Sequence, residues 1–167
     1  MRLYILRHGE AATPPGGGEK ALTDSGIWQA DQAADLLAGD LTPQLVLHSP
    51  KLRALQTMQR VVAAIPGTVC EETSALLPEG NPRAVEELLA THPQASILLV
   101  SHLPLVAELV AWFTSGERGN YPLPGYSPAG LVALDMEPLA ARGCGVISWH
   151  AFGPDYSRYD FKNGGSV

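Results

Sequence analysis

Three short, unbroken apolar runs constrain this chain more than any other feature. Leu3 to Leu6, Leu45 to Leu47 and Ile97 to Val100 each stop abruptly at a polar residue: Arg7, His48 and Ser101. Runs of this length without alternation read as strands buried on both faces. Segments of helical spacing lie between and after them. Thr23 can cap a helix running to about Ala38, with Ile27, Ala30, Ala34 and Leu37 on its apolar face. Ser49 and Pro50 read as N-cap and first residue of a second helix, with Leu52, Leu55, Met58 and Val62 on one face. Asn81 or Pro82 opens a third, with Val85, Leu88 and Leu89 inward, ending near His92-Pro93. Pro104 opens a fourth, carrying Leu105, Val106, Leu109, Val110 and Phe113. Strand–helix alternation over the first two thirds predicts an α/β fold, a three-layer sandwich with a largely parallel central sheet. Gly119 to Pro128 reads as loop. Gly130 to Leu134 and Gly145 to Trp149 read as late strands, antiparallel to each other. One domain is expected over 1–152, followed by a loosely held, Gly-rich tail over 153–167.

The length of 167 residues suits one domain, and 46% hydrophobic residues suffice for a sizeable core. The net charge of −6 disfavours nucleic acid as a partner, which needs a basic face. Cys70 and Cys144 lie far apart and in no CxxC pattern, against a disulfide framework or zinc site and in keeping with a reducing cytoplasm. The apolar start Leu3 to Leu6 is too short for a secretory signal, and no stretch approaches the roughly 18 apolar residues of a spanning helix. Pro14 to Gly18 is a Pro/Gly loop, but Gly18-Glu19-Lys20-Ala21 lacks the Gly-Lys-Ser/Thr ending of a P-loop.

Parallel α/β sheets bind ligands at the carboxyl ends of their strands. Arg7-His8-Gly9 follows the first strand, Arg53 sits in the first turn of the helix after the second, and Ser101-His102 follows the third. If those strands are neighbours, two guanidiniums and two imidazoles converge. Planar guanidinium forks match phosphoryl oxygens, and a neutral imidazole nitrogen is a competent nucleophile toward phosphorus. Taken singly, a loop histidine is commonly a packing residue and an arginine in a first helical turn is commonly solvated. Arg53 nevertheless opposes the helix dipole there, which marks it for another use. His48, His92 and His150 read as structural or surface residues. A metal held by His8 and His102 would be repelled by the arginines, so anion binding ranks above metal binding and no cofactor is required.

Leu6-Arg7-His8-Gly9-Glu10, Leu22-Thr23-Asp24-Ser25-Gly26, the segment from Ser49 through Arg53 to Thr57, and Val100-Ser101-His102 resemble, in that order, the histidine phosphatase superfamily, which includes the cofactor-dependent phosphoglycerate mutases. The resemblance spans residues 3 to about 113. It implies that His8 is the phosphorylated nucleophile and that Arg7, Arg53 and His102 bind and polarise the phosphoryl group. Ser101-His102-Leu103-Pro104-Leu105-Val106 and the short chain look like the SixA-type protein phosphohistidine phosphatases. The mutases carry an Asn and a Trp shortly after Arg-His-Gly, where this chain has Ala11 to Pro15. They also carry a long lid insertion between the second arginine and second histidine, whereas Arg53 and His102 are 49 positions apart. A shallow, open pocket follows, able to admit a whole protein.

By the same resemblance, a carboxylate after the second arginine is the proton donor. Glu79 is the best match and the only carboxylate between Thr73 and Val85; a solvated loop residue is the alternative reading, and Glu10 is a second candidate. The expected function is hydrolysis of phosphohistidine on a protein partner through a phospho-His8 intermediate, by a cytoplasmic monomer. A small-molecule phosphomonoesterase and a non-catalytic phosphoprotein-binding module are the alternatives.

Overall fold

The computed structural model describes residues 1–117, 119, 121–123, 125–137, 139–153, 155–161 and 165–166. In chain order the elements are β1 (Arg2–Arg7), β2 (Ala11–Ala12), β3 (Ala21–Leu22), α1 (Asp24–Ala38), β4 (Leu45–His48), α2 (Leu52–Ala64), β5 (Val69–Glu72), a 3-10 turn at Ser74–Leu76, α3 (Pro82–Leu89), β6 (Ser96–Ser101), α4 (Leu105–Thr114), β7 (Leu131–Met136), β8 (Gly145–Ala151), β9 (Arg158–Asp160) and β10 (Gly165–Ser166). One sheet has the order β10-β9-β8-β7-β1-β6-β4-β5; β2 and β3 form a separate hairpin. β1, β6, β4 and β5 run parallel, and each step from β1 out to β10 is antiparallel. This is the expected α/β sandwich.

Its three layers follow from the period-2 alternation of the buried strands. Leu3, Ile5, Leu45, Leu47, Ile97 and Leu99 face one core with Val85 and Leu89 of α3 and the apolar side of α4. Tyr4, Leu6, Val46, Leu98 and Val100 face the other, with Ala33, Ala34 and Leu37 of α1 and Ala54, Met58 and Val61 of α2. Both faces of the parallel strands are covered, so their sequences are continuously apolar. Thr23 caps α1, and Asn81 caps α3 with Pro82 in its first turn, as expected.

Several local expectations are corrected. Ile27 is 37% exposed, and Ala33 takes the core position. α2 begins at Leu52, with Lys51 rather than Ser49 at the cap. Its inward face is Ala54, Thr57, Met58 and Val61, rotated from the expected stripe, because Leu55 and Val62 lie at the margin of the core and Leu52 sits outside it. β5 carries no apolar signal: all four residues are exposed on the sheet edge, where pairing with β4 needs no buried side chain. Part of the expected loose tail is ordered against the sheet. Arg158–Asp160 pairs with β8, and Tyr156 is buried in the second core. Residues 154, 162–164 and 167 of that segment lie outside the described residues.

Candidate active site

Strand register aligns the site. Arg7 at the end of β1 pairs with Ser101 at the end of β6, and Val100 pairs with His48 at the end of β4. The next residues, His8, His102 and Ser49, therefore leave the sheet side by side. Backbone bonds fix these exits: His8 N–H donates to Ser101 O at 3.0 Å and Ser49 N–H to Val100 O at 3.0 Å. The His8 and His102 ring centroids are 4.9 Å apart. From the first turn of α2, Arg53 Nε donates to His8 Nε2 at 3.1 Å. The convergence expected of Arg7, His8, Arg53 and His102 is present.

The partners of His8 define its tautomer. Its Nδ1 lies 2.7 Å from the Gly9 carbonyl, which only accepts, so Nδ1 carries the proton. Nε2 accepts from Arg53 and keeps its lone pair. Burial, reinforced by the positive charges of Arg53, Arg7 and Lys20, lowers the His8 pKa to about 4. Burial and then the His8, Arg53, Lys51 and Arg7 charges lower that of His102 to about 3. Both rings are neutral at pH 7, as a nitrogen nucleophile requires. His102 Nε2 shares a proton with Ser49 Oγ at 2.7 Å. Ser49 Oγ also accepts from Lys51 N at 3.4 Å, one residue before α2 begins, and Lys51 stands at the cap position. Glu19 Oε1 accepts from Leu52 N at 2.9 Å. Arg7 Nη1 donates to Tyr126 O at 2.5 Å, while burial lowers its guanidinium pKa. Arg7 Nε and His102 Nδ1 are buried with no hydrogen-bond partner. Such atoms are costly in a closed core and available in a binding site.

The flanking motif residues build the frame. Gly9 N donates to Thr57 Oγ1 at 3.1 Å, and Thr57 Oγ1 donates to Arg53 O at 2.7 Å, joining the loop after β1 to α2. A Cβ on Gly9 would lie 2.5 Å from Gly26 O, and one on Gly26 would lie 2.0 Å from Glu10 O. The glycine of Leu22 to Gly26 thus lets the start of α1 lie directly against the loop bearing His8. Glu10 Oε1 accepts from Thr23 Oγ1 at 2.8 Å, so the second candidate acid is engaged in holding α1. Glu79 is exposed. Its loop is tied to the site by Ser101 Oγ, which donates to Leu76 O at 2.7 Å, and by Gly80, whose missing Cβ would lie 2.7 Å from Leu105. Sequence reasoning passed over the individual roles of Ser49 and Thr57, although both lie in the motif around Arg53. Tyr126 and Tyr156 lie in stretches with no periodicity, and no sequence signal marked them.

His48 is buried with Nδ1 on Ser49 O, His92 meets Glu71 at 3.3 Å, and His150 stacks on Phe152 and Tyr159. Among the described residues no group of three or more His, Cys, Asp or Glu is placed to hold a metal, and no helix is long and apolar enough to cross a membrane.

A profile of the histidine phosphatase superfamily (branch 1) matches residues 3–79. The phosphohistidine phosphatase SixA of Escherichia coli (strain K12) is 32% identical over 158 residues, covering 89% of this chain and 92% of that protein. The chain belongs to the histidine phosphatase superfamily. Among its solved members, the protein histidine phosphatase SixA complexed with tungstate superposes with a TM-score of 0.75 at 31% identity, covering 90% of this chain and 96% of that one. An acid phosphatase of Mycobacterium tuberculosis is 38% identical over 99 residues, 56% of this chain and 45% of that protein. The chain is thus a phosphatase of this superfamily.

Arg53 offers the first test of the site. Lysine keeps the charge and loses the planar fork that holds His8 Nε2. Arg53→Lys is expected to lower kcat/KM by at least about tenfold, roughly 1.4 kcal/mol. Steady-state phosphate release by the folded variant checks this, and wild-type kinetics would make Arg53 an ordinary surface cation.

Proposed function

We propose that this phosphatase hydrolyses phosphohistidine on a protein partner, acting as a cytoplasmic monomer through a covalent phospho-His8 intermediate. The observation that carries the reading is the His8 ring with its proton on Nδ1, its Nε2 lone pair held by Arg53, the His102 ring 4.9 Å away and the Arg7 charge near enough to act on it. Nε2 attacks phosphorus and the P–N bond to the substrate imidazole breaks; that ring, protonated on its other nitrogen from solvent beforehand, leaves as neutral imidazole. Water then attacks phospho-His8, releasing inorganic phosphate and restoring His8. As Nε2 bonds to phosphorus, the Arg53 N–H that held it is freed for a phosphoryl oxygen. Arg7 and His102 supply further buried nitrogens, and the negative charge of the arriving phosphoryl group raises the tendency of His102 to carry a proton.

The surroundings favour a protein substrate. A cavity of about 340 Å³ is lined by Leu103, Pro104, Ala107, Leu123 and Tyr126; Leu103 and Pro104 follow His102 directly in the chain, and the Tyr126 carbonyl accepts a hydrogen bond from Arg7. Its apolar wall suits side chains flanking a phosphorylated residue better than a small, highly polar metabolite. The acid phosphatase likeness supports the second reading, a small-molecule phosphomonoesterase. A non-catalytic phosphoprotein-binding module would have no need of the His8 lone pair.

Glu79 separates the two enzymatic readings. A phosphomonoester expels an alkoxide that must be protonated, and general acid catalysis contributes roughly 100-fold. The imidazole leaving phosphohistidine can arrive already protonated. Glu79→Gln is therefore expected to cut phosphomonoester hydrolysis by roughly 100-fold and to spare phosphohistidine hydrolysis. Phosphate release from a phosphohistidine protein and from a panel of phosphomonoesters, on one preparation from about pH 5 to about pH 8, checks it. A preference of the wild type for phosphohistidine supports the main reading. Preference for a monoester, with equal large losses on both substrates in the variant, supports the second.

A further inference from the structure

Among the described residues, two that are not glycine have positive φ: Ala129 at 51° and Tyr156 at 52°. Such strain persists only where surrounding structure holds it, and it concentrates at functional sites. Both residues belong to one bonded unit around the candidate site. Ala129 N donates to the His8 carbonyl at 3.0 Å, and Arg7 N donates to Gly130 O at 3.0 Å. The Arg7 guanidinium is anchored on Tyr126 O in the same turn. The turn spanning residues 126–130 therefore grips Arg7 at two points and His8 at one.

That turn is itself held from the C-terminal segment. The Tyr156 hydroxyl donates to Pro128 O, and Gly153 N donates to Ser127 Oγ at 2.8 Å. Tyr156 is only 5% exposed, with Trp28 edge-on to its ring at 5.8 Å. Burial pushes its hydroxyl up to about 12, so it remains a donor throughout the working pH range.

We propose that Tyr156 is a positioning residue for the phosphoryl site, clamping the turn at 126–130 so that Arg7 and His8 are held in their binding geometry. This rests on the phosphoryl-site reading of Arg7 and His8, but not on which phosphorylated substrate is used. It gives part of the segment beyond β8 a function: by pairing with β8, β9 fixes the strand end from which Tyr156 reaches back to Pro128.

The test is oxyanion binding. Tungstate, a tetrahedral oxyanion, is titrated by calorimetry into the wild type and into Tyr156→Phe, with thermal unfolding followed in parallel. Loss of one buried hydrogen bond at the clamp is expected to weaken tungstate binding by about three- to tenfold at temperatures where the variant is fully folded. A residue with a merely structural role would lower Tm and leave the affinity of the folded protein unchanged; that result overturns the proposal. Should Tyr156→Phe not fold, Ser127→Ala removes the other tether and is judged by the same criterion. A wild type that does not bind tungstate overturns both the phosphoryl site and the role of Tyr156. Intact tungstate binding without phosphohistidine turnover overturns the substrate assignment alone.

Discussion

Replacing His8 with asparagine is expected to abolish turnover and leave the fold intact. Asparagine can still donate to the Gly9 carbonyl, as His8 Nδ1 does at 2.7 Å, but it offers phosphorus no nucleophilic nitrogen. Acid-labile phosphate should accumulate on His8 of the wild type when the reaction is quenched with denaturant at alkaline pH, and be absent from the variant. Undiminished turnover by His8→Asn would remove the covalent route. The same variant carries a signature in stability. The unfolded chain protonates His8 near its ordinary pKa of about 6.5, whereas the folded chain does so only near about 4. The unfolded state thus binds more protons in that window, and the wild type loses stability as pH falls through it. His8→Asn deletes this contribution, so its drop in Tm between pH 7 and pH 5 should be smaller than that of the wild type. An unchanged drop would show that His8 is not held neutral in the fold.

Gly26→Ala is expected to produce the largest loss of stability among single methyl additions near the site. The added Cβ would lie 2.0 Å from the Glu10 carbonyl oxygen, a backbone atom with no freedom to turn aside. Either α1 lifts away or the loop bearing His8 shifts; both undo the bond from Thr23 N to Glu10 O, and the second also strains that from Gly9 N to Thr57 Oγ1. Overpacking of this kind costs on the order of 3 kcal/mol, corresponding to a fall in Tm of roughly 10 °C for a chain of this size. Activity should fall with it. Gly39→Ala is the control: its φ of −86° suits alanine and its nearest neighbours would lie at 3.6 Å, so Tm should move little. Comparable shifts for the two variants would contradict the close packing of α1 on the loop.

The limits of the sequence show in particular elements. β1, β4 and β6 were legible because parallel strands covered on both faces must be apolar throughout, and the caps at Thr23 and Asn81 because short polar side chains satisfy local backbone donors. β5 and β9 were not: β5 is exposed on the sheet edge and β9 is a three-residue, half-buried strand between β8 and β10, so backbone pairing defines each and no apolar run marks it. The stripe on α2 came out rotated because helical periodicity alone cannot tell a marginal position such as Leu55 from a core one such as Ala54.

For the site, residues determined by local chemistry could be read directly. Arg7, His8, Arg53 and His102 follow strand ends or open a helix, and a parallel sheet presents those positions along one edge. Tertiary structure alone decided that β6 lies between β1 and β4, which brings His102 beside both His8 and Ser49. It also joined Ser49 to His102, fixed the His8 tautomer between Gly9 and Arg53, and returned Tyr156 from the far end of the chain to the turn that holds Arg7. Propensity and periodicity encode contacts within a few residues. Hydrogen bonds such as that between Arg7 and Tyr126, 119 positions apart, depend on the packed sheet that pairs β1 with β7, the strand that follows Tyr126.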